Sequence, residues 1–379
     1  MTNIDSNAIS FLENPRFQRA APWLLLLLAL YFRFWRLTST EIYLDEPFTI
    51  FWAQAPLLEY LKLLIHENNP PLHNLFVKAW TAIFGIGPLS VRFPSAIFSA
   101  MTVPVIYKVT SRYWGVLAGL GAAILLLFSN YHQQFAHEAR AYALLAFLAT
   151  VSVYTFMKLC EGESDKRTRW LYVLSTVAML YTHFFGVAVL LIELSVLVFS
   201  APWRKRWPAL KGPLLYTLLL FLPYVGLFVY RSFLSVSQGT WVRHLEDIKE
   251  VAYITSMMTN RSALLFVVLM TLFWLATVRQ MNQMFQNKAL RTILLITCSF
   301  IFVTLCSYYV DFPSIPVDVH SKVYELLFLV GFGLIFVCVF FSSKVKPEQR
   351  MLLLWLFAPL IGMYIVSYKA PMYLDRYVF

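Results

Sequence analysis

The stretch APWLLLLLALYFRFW, residues 21–35, decides the fold class of this sequence. It forms most of an apolar segment, 20–37, that is long enough to cross a bilayer as a helix. Because the segment lacks a small-residue cleavage site, we predict a retained first transmembrane helix and not a removed signal peptide. Directly after it, EIYLDEPF at 41–48 places the carboxylates of Glu41, Asp45 and Glu46 beside the membrane, and this charge needs an explanation.

The composition agrees with a membrane protein. The chain has 379 residues, of which 59% are hydrophobic and only 13% charged, and the mean hydropathy is +0.65. A soluble domain is about half apolar and about a quarter charged. We therefore predict an all-α, polytopic transmembrane helix bundle, since a β-barrel would show short alternating segments instead.

Apolar runs of spanning length recur about 11 times, and the full-length protein could hold more. They lie at 20–37, 93–110, 115–132, 141–159, 170–182, 184–200, 213–233, 263–279, 292–310, 322–342 and 351–368. Short basic runs separate every second pair, which is typical of cytoplasmic loops. This pattern accounts for the net charge of +11 without a nucleic-acid partner, and it predicts a cytoplasmic N-terminus.

The first outer loop, 38–92, is predicted to hold two interfacial helices. Apolar residues recur at helical spacing in 47–66 with polar residues between them, as in a helix that lies in the membrane surface. The segment 71–85 is too short for a span and contains His73 and Lys78. With no internal repeat and no flexible linker, the sequence predicts a single membrane-embedded unit over 1–379.

Five motifs in order resemble a known superfamily. They are YLDEPF at 43–48, NNPPLHNL at 68–75, VRFPSAIFSA at 91–100, HEARAYAL at 137–144 and YTHFFG at 181–186. Together they resemble the GT-C glycosyltransferases, in particular the bacterial branch similar to protein O-mannosyltransferases and lipid A aminoarabinose transferases. The resemblance implies a polyprenyl-phosphate-linked sugar as donor. It also implies a bacterial inner-membrane protein with an outward-facing site and an inverting reaction.

The resemblance implies that Asp45 is the catalytic base, although Asp45 could also be only a helix N-cap ahead of Pro47. Arg140 stands at the outer mouth of a span, where its planar guanidinium suits the donor phosphate; the alternative is snorkelling to headgroups. Further substrate contacts are predicted at Glu46, His73, Arg92, Glu138, Tyr142, His183 and Arg376. Arg92 could equally be structural or pair with the acids of the first loop.

A divalent metal ion is a possible cofactor. Its candidate ligands are Glu46, His66, His137 and Glu138, but no HxxxH or similar spacing occurs, so the ligands would have to converge from separate loops. At the other end of the chain, YLDRYVF at 373–379 resembles the Arg-Tyr motif that opens a further span in the family. We therefore expect either a truncated C-terminal end or the lack of that span.

The residues leave two other classes of function open. A transporter or lipid-carrier flippase would also be polytopic and aromatic-rich, but it would place ionisable groups near the bilayer midplane, whereas here they gather in the predicted outer loops. A catalytically silent membrane scaffold is the third reading. The sequence does not choose the sugar, nor does it choose between a protein, a lipid and a polysaccharide as acceptor.

Overall fold

A computed structural model describes residues 14–67, 69–237, 257–310, 336–342 and 344–367, together with residues 12, 330 and 333. These residues form helices joined by turns, and no strand occurs among them. The all-α prediction is confirmed for this part of the chain. The chain divides into two compact units, residues 1–238 and residues 239–378. The single membrane-embedded unit over 1–379 stays a prediction.

The first unit contains every described residue of the five motifs. Its helices are α1 (Pro15–Phe34), α2 (Glu46–Gln54), α3 (Leu57–Leu63), α4 (Leu72–Phe84), α5 (Pro88–Trp114), α6 (Val116–Leu127), α7 (Asn130–Ala136), α8 (Tyr142–Glu161), α9 (Lys166–Leu180), α10 (Gly186–Phe199), α11 (Ala201–Arg204) and α12 (Trp207–Ser237). The second unit contains α13 (Ala263–Met284), α14 (Lys288–Val310), α15 (Pro347–Phe357), a π-helical turn (Ala358–Gly362) and α16 (Met363–Ser367).

Four described helices are long and apolar enough to cross a membrane, or five if one bent pair counts as a single span. They are Pro88–Trp114, Tyr142–Glu161, Trp207–Leu234 and Ala263–Gln283, and the bent pair is Val116–Leu127 with Asn130–Ala136. Helices α9 and α10 have 15 and 14 residues, fewer than the roughly 20 that a perpendicular span needs. A multi-pass membrane protein is supported, but about 11 spans is not confirmed.

The predicted helix at 47–66 is wrong as one element. The chain instead forms α2 and α3, which are separated at Pro56, because proline has no backbone N–H and restricts the residue before it. The second predicted helix forms as α4, and Lys78 on it donates to the carbonyl of Ala53 at the end of α2 (3.0 Å). Large apolar side chains on these helices are exposed, including Phe48, Leu58 and Ile83, as an interfacial position requires.

The predicted span 115–132 is also broken, and Arg33 explains the break. The chain bends by 59° between α6 and α7. Arg33 lies buried against the end of α6 and donates to the carbonyls of Leu126 and Leu127, both at 3.0 Å. Its other N–H groups contact Ser99, His132 and Gln133. Arg33 therefore caps a helix end inside the protein.

Charged residues mark the two opposite ends of the long helices α5 and α8. Helices α5 and α8 run in the same direction, because Arg112 at the end of α5 pairs with Glu161 at the end of α8 (2.7 Å). Their beginnings, with Arg92 and Tyr142, lie together at the other end. The described candidate site residues near Arg92 and Tyr142 thus share one end of the first unit, and the basic run at 108–114 lies at the other.

We expect Arg33→Met to lower stability by about 2–3 kcal/mol, because it leaves two buried helix-end carbonyls without donors. The measurement is the melting temperature of the purified protein in detergent. The matched control is Arg36→Met, three residues on and exposed, which should change stability by less than about 0.5 kcal/mol. Equal effects of the two substitutions would contradict the capping role.

Candidate active site

Glu46 and Arg92 form a buried ion pair at the end of the unit where the candidate residues gather. Arg92 Nε lies 2.8 Å from Glu46 Oε1, and Arg92 Nη2 lies 2.7 Å from Glu46 Oε2. Both side chains are almost wholly shielded from solvent. This two-pronged geometry is the strongest arrangement of an arginine and a carboxylate, and it joins α2 to the first turns of α5.

The remaining N–H groups of Arg92 close the loop after α1. Nη1 donates to the carbonyls of Leu37 (3.0 Å) and Thr40 (2.8 Å), and Nη2 donates to the carbonyl of Glu41 (2.7 Å). All five N–H groups of the guanidinium are therefore used within the protein. Arg92 therefore has no N–H group left to donate to a substrate.

Glu46 connects this loop to the loop that carries Arg140. Its Oε1 accepts the backbone N–H of Ala139 (2.9 Å), and its Oε2 accepts that of Tyr43 (3.2 Å). Glu46 and Arg92 were both predicted to contact substrate, and Glu46 was also a candidate metal ligand. Their internal contacts argue against these roles, and we assign both residues to positioning instead.

Asp45, next to Glu46, is held at the start of α2. It is half-buried and occupies the N-cap position, but its side chain makes no capping hydrogen bond, so the alternative of a simple N-cap is not supported. The residue before it, Leu44, has a φ of 52°, a conformation that is rare for a leucine. Backbone strain of this kind is found where a side chain must be presented at a set position.

Arg140 meets the Asp45 segment. Arg140 Nη1 lies 3.5 Å from the carbonyl oxygen of Asp45, and the hydroxyl of Ser95 donates to the carbonyl of Arg140 (3.3 Å). Residues 137–140 form bends and not a helix. Asp45, the predicted base, and Arg140, the predicted phosphate-binding residue, are therefore neighbours.

The NNPPLHNL and YTHFFG motifs also meet here. The backbone N–H of Leu72 donates to the carbonyl of Tyr181 (2.9 Å), which sets the start of α4 against the turn at 181–186. The ring of His183 lies 5.7 Å from that of Tyr142. His73 and His183 are buried, and the positive charge of Arg140 acts on the imidazole of each.

Burial, and to a smaller extent the nearby charge of Arg140, lowers the pKa of His73 and of His183 to about 3. Both imidazoles are consequently neutral at physiological pH. The Nδ1 atom of His183 accepts the backbone N–H of Phe185 (3.2 Å), which leaves its Nε2 as the N–H donor. The site therefore has two neutral imidazoles, and the charge of Arg140 acts on both.

The candidate metal ligands do not converge. No group of three or more His, Cys, Asp or Glu residues that could hold a metal ion occurs within the described ranges. His66 is exposed, whereas His137 donates from Nε2 to the carbonyl of Arg33 (2.9 Å). Glu138 is buried and accepts from Gln134 (3.3 Å). Arg376 lies outside the described residues, so its predicted contact is not described.

One polar stripe was missed by the sequence analysis. Arg92, Ser95, Ser99 and Thr102 are all buried and follow each other at helical steps of three, four and three residues along α5. The hydroxyl of Ser95 donates to the carbonyl of Arg140, and the hydroxyl of Ser99 accepts from Arg33 Nε. The spacing was visible in VRFPSAIFSAMT, and a polar stripe in an otherwise apolar helix indicates a face that packs against polar partners.

The chain is similar to one family model and to a solved structure. Residues 68–228 match the family model described as dolichyl-phosphate-mannose-protein mannosyltransferase. Among solved structures, the crystal structure of ArnT from Cupriavidus metallidurans in the apo state is similar with a TM-score of 0.43 and 13% identity. That similarity covers 82% of this chain and 66% of the ArnT chain, so this chain spans just under two thirds of the ArnT length. Among proteins with curated functions, no sequence relative matches the chain.

The family match confirms the resemblance to the GT-C superfamily, and the apolar helices support a multi-pass membrane protein. The matched segment contains Arg92, Arg140 and His183, and it begins at the motif of His73. Asp45 lies before this segment. Asp45 is linked to the matched segment by its contact with Arg140. Its neighbour Glu46 adds contacts with Arg92 and with the backbone of Ala139.

We expect Arg92→Met to destabilise the protein by about 3–5 kcal/mol, because Glu46 would be left buried without its cation. The double variant E46Q/R92M should recover part of this loss, since no buried charge remains unpaired. The melting temperatures of the two single variants and of the double variant form a double-mutant cycle, which measures the coupling energy between Glu46 and Arg92.

Arg112→Met is the control for this cycle, because Arg112 pairs with Glu161 and Glu163 on a far more exposed surface. Removing such a pair costs up to about 1 kcal/mol. Strictly additive losses in the cycle, or a loss for Arg112→Met as large as that for Arg92→Met, would show that the buried pair has no special role.

We expect the protein to lose stability as the pH falls from 7 to 5. In the unfolded chain both histidines have a pKa of about 6.5 and take up protons in this range, whereas in the folded protein they stay neutral. Each should therefore contribute a loss of about 2 kcal/mol at pH 5. Melting temperatures across this pH range check the effect, which should be weaker in His183→Asn. A slope that His183→Asn leaves unchanged would refute it.

Proposed function

We propose that this protein is a membrane glycosyltransferase that moves a sugar from a polyprenyl-phosphate-linked donor to an acceptor at the outer face of the membrane, with inversion of the anomeric centre. The observation that carries the proposal is the contact between Arg140 and the Asp45 segment at 3.5 Å. It brings the candidate base and the candidate phosphate-binding group within reach of one small phosphosugar.

The proposed reaction needs a base and a cation. The oxygen of the acceptor hydroxyl attacks the anomeric carbon of the sugar, and its proton passes to the carboxylate of Asp45. The bond between the anomeric carbon and the phosphate oxygen breaks, and the electron pair leaves with the phosphate. The lipid phosphodiester thereby becomes a monoester with one more negative charge, and Arg140 stabilises that charge.

The other residues of the site have supporting roles in the proposal. Glu46 and Arg92 fix the Asp45 loop against the Arg140 loop. The rings of Tyr142 and His183, 5.7 Å apart, would line the site, and Glu138 would support the Arg140 loop from its buried position. Arg376, which lies outside the described residues, stays a predicted contact of the phosphate.

Helices α2, α3 and α4 suit a lipid-linked donor. Their exposed apolar side chains would lie in the outer half of the bilayer, where a polyprenyl chain also lies. A donor could thus keep its lipid in the membrane while its phosphate reaches Arg140. This arrangement accounts for the acidic loop that directly follows α1.

A transporter is the second candidate, because one ionisable group lies deep among the helices. Glu193 on α10 is fully buried and accepts from the hydroxyls of Ser152 (2.8 Å) on α8 and Tyr172 (3.0 Å) on α9. Buried carboxyl groups of this kind occur in transport pathways. Here both oxygens are used to join three helices, which favours a packing role.

We expect Asp45→Asn to reduce sugar transfer by about 10²–10⁴-fold, the usual contribution of a general base. The measurement is transfer of radiolabelled sugar from polyprenyl-phosphate-linked hexoses and pentoses by the purified protein. Glu41→Gln is the matched control, because Glu41 is an exposed carboxylate in the same loop and should keep full activity.

Two results would overturn the proposal. The first is transfer that persists unchanged in Asp45→Asn. The second is uptake of the lipid-linked sugar into vesicles that does not depend on Asp45, which would favour the transporter.

A further inference from the structure

His73 is a buried imidazole with one nitrogen that lacks a hydrogen bond. Its side chain belongs to a residue only 4% exposed, and Nε2 has no hydrogen-bond partner among the described residues. A buried nitrogen without a partner has lost its bonds to water and gained none in return, which is uncommon in folded proteins. A ligand that supplies the missing partner would therefore be favoured at this atom.

The position of His73 connects it to the proposed active site. His73 follows Leu72, whose N–H is fixed to the carbonyl of Tyr181, so the first turn of α4 is held against the turn that carries His183. The charge of Arg140 acts on both imidazoles. Arg140 in turn contacts the carbonyl of Asp45. His73 thus lies at the start of a helix that is fixed to the turn of His183, and its imidazole is within range of the charge that would hold the donor phosphate.

The chemistry of His73 limits what it can do there. Burial holds its pKa near 3, so the imidazole is neutral and too weak a base to take a proton from a hydroxyl at neutral pH. A neutral imidazole nitrogen either donates or accepts one hydrogen bond, and a hydroxyl can supply either partner. Because Arg140 already offers a positive charge to a phosphate, the neighbouring neutral group suits an uncharged part of the same ligand.

We propose that His73 Nε2 forms a hydrogen bond with a hydroxyl group of the donor sugar, next to the phosphate at Arg140. This inference rests on the proposed function, because it assumes a lipid-phosphate sugar in the site. It goes further by assigning separate parts of the donor to separate residues. Arg140 binds the phosphate, which the lipid carrier has both with and without a sugar. The hydrogen bond of His73 forms only when a sugar is attached.

The test compares two probes on the full-length protein in lipid nanodiscs. One probe is a polyprenyl phosphate without sugar, and the other is the same lipid carrying a hexose. His73→Phe should weaken binding of the hexose lipid by about tenfold and leave binding of the bare lipid unchanged. His73→Gln, which keeps a hydrogen-bonding group, should restore part of the loss. Arg140→Gln should weaken both lipids.

The control variant is His66→Phe, since His66 is an exposed histidine seven positions earlier and should affect neither lipid. Melting temperatures show that each variant is folded. Equal weakening of both lipids by His73→Phe, or no weakening of either, would overturn the inference while leaving the proposed function intact. Failure of the unsubstituted protein to bind either lipid would instead overturn the proposed function, and this inference with it.

Discussion

The buried ion pair between Glu46 and Arg92 is the interaction on which the site depends. A charge that is buried without its partner costs several kcal/mol, so the two residues hold their segments together strongly. Arg92 closes the loop after α1 through three carbonyls, and Glu46 reaches the N–H of Ala139. The acidic residues after the first apolar helix are therefore explained in part by internal pairing, which places Asp45 beside Arg140.

The polar groups around this pair divide into two kinds. Glu46, Arg92 and Arg33 satisfy their hydrogen bonds inside the protein and fix the positions of loops and helix ends. Arg140 and the neutral imidazole of His73 have fewer contacts to the protein, and our proposals assign them to the ligand. Such a division suits a preorganised site, because the groups that contact a reacting molecule need neighbours that do not move.

The sequence predicted the elements whose signals are local. The segment 71–85, which is too short for a span, was predicted to form an interfacial helix and forms α4. The matching sidedness of the motifs predicted that Asp45, Arg140 and His183 share one end of the bundle. The break at Pro56 could also have been predicted from the proline alone. A pairing of Arg92 with the acids of the first loop was one open alternative, but the sequence could not single out Glu46, because a contact between distant positions leaves no periodic signal. The bend after α6 depends in the same way on Arg33, which is remote in sequence from Leu127.

The most direct test of the central claim is a cryo-electron microscopy map of the protein with a polyprenyl-phosphate-linked sugar bound. The account predicts that the phosphate lies within hydrogen-bonding distance of Arg140 and that the anomeric carbon faces the carboxylate of Asp45. Density for the phosphate away from Arg140, or Asp45 and Arg140 on opposite sides of the membrane, would contradict it.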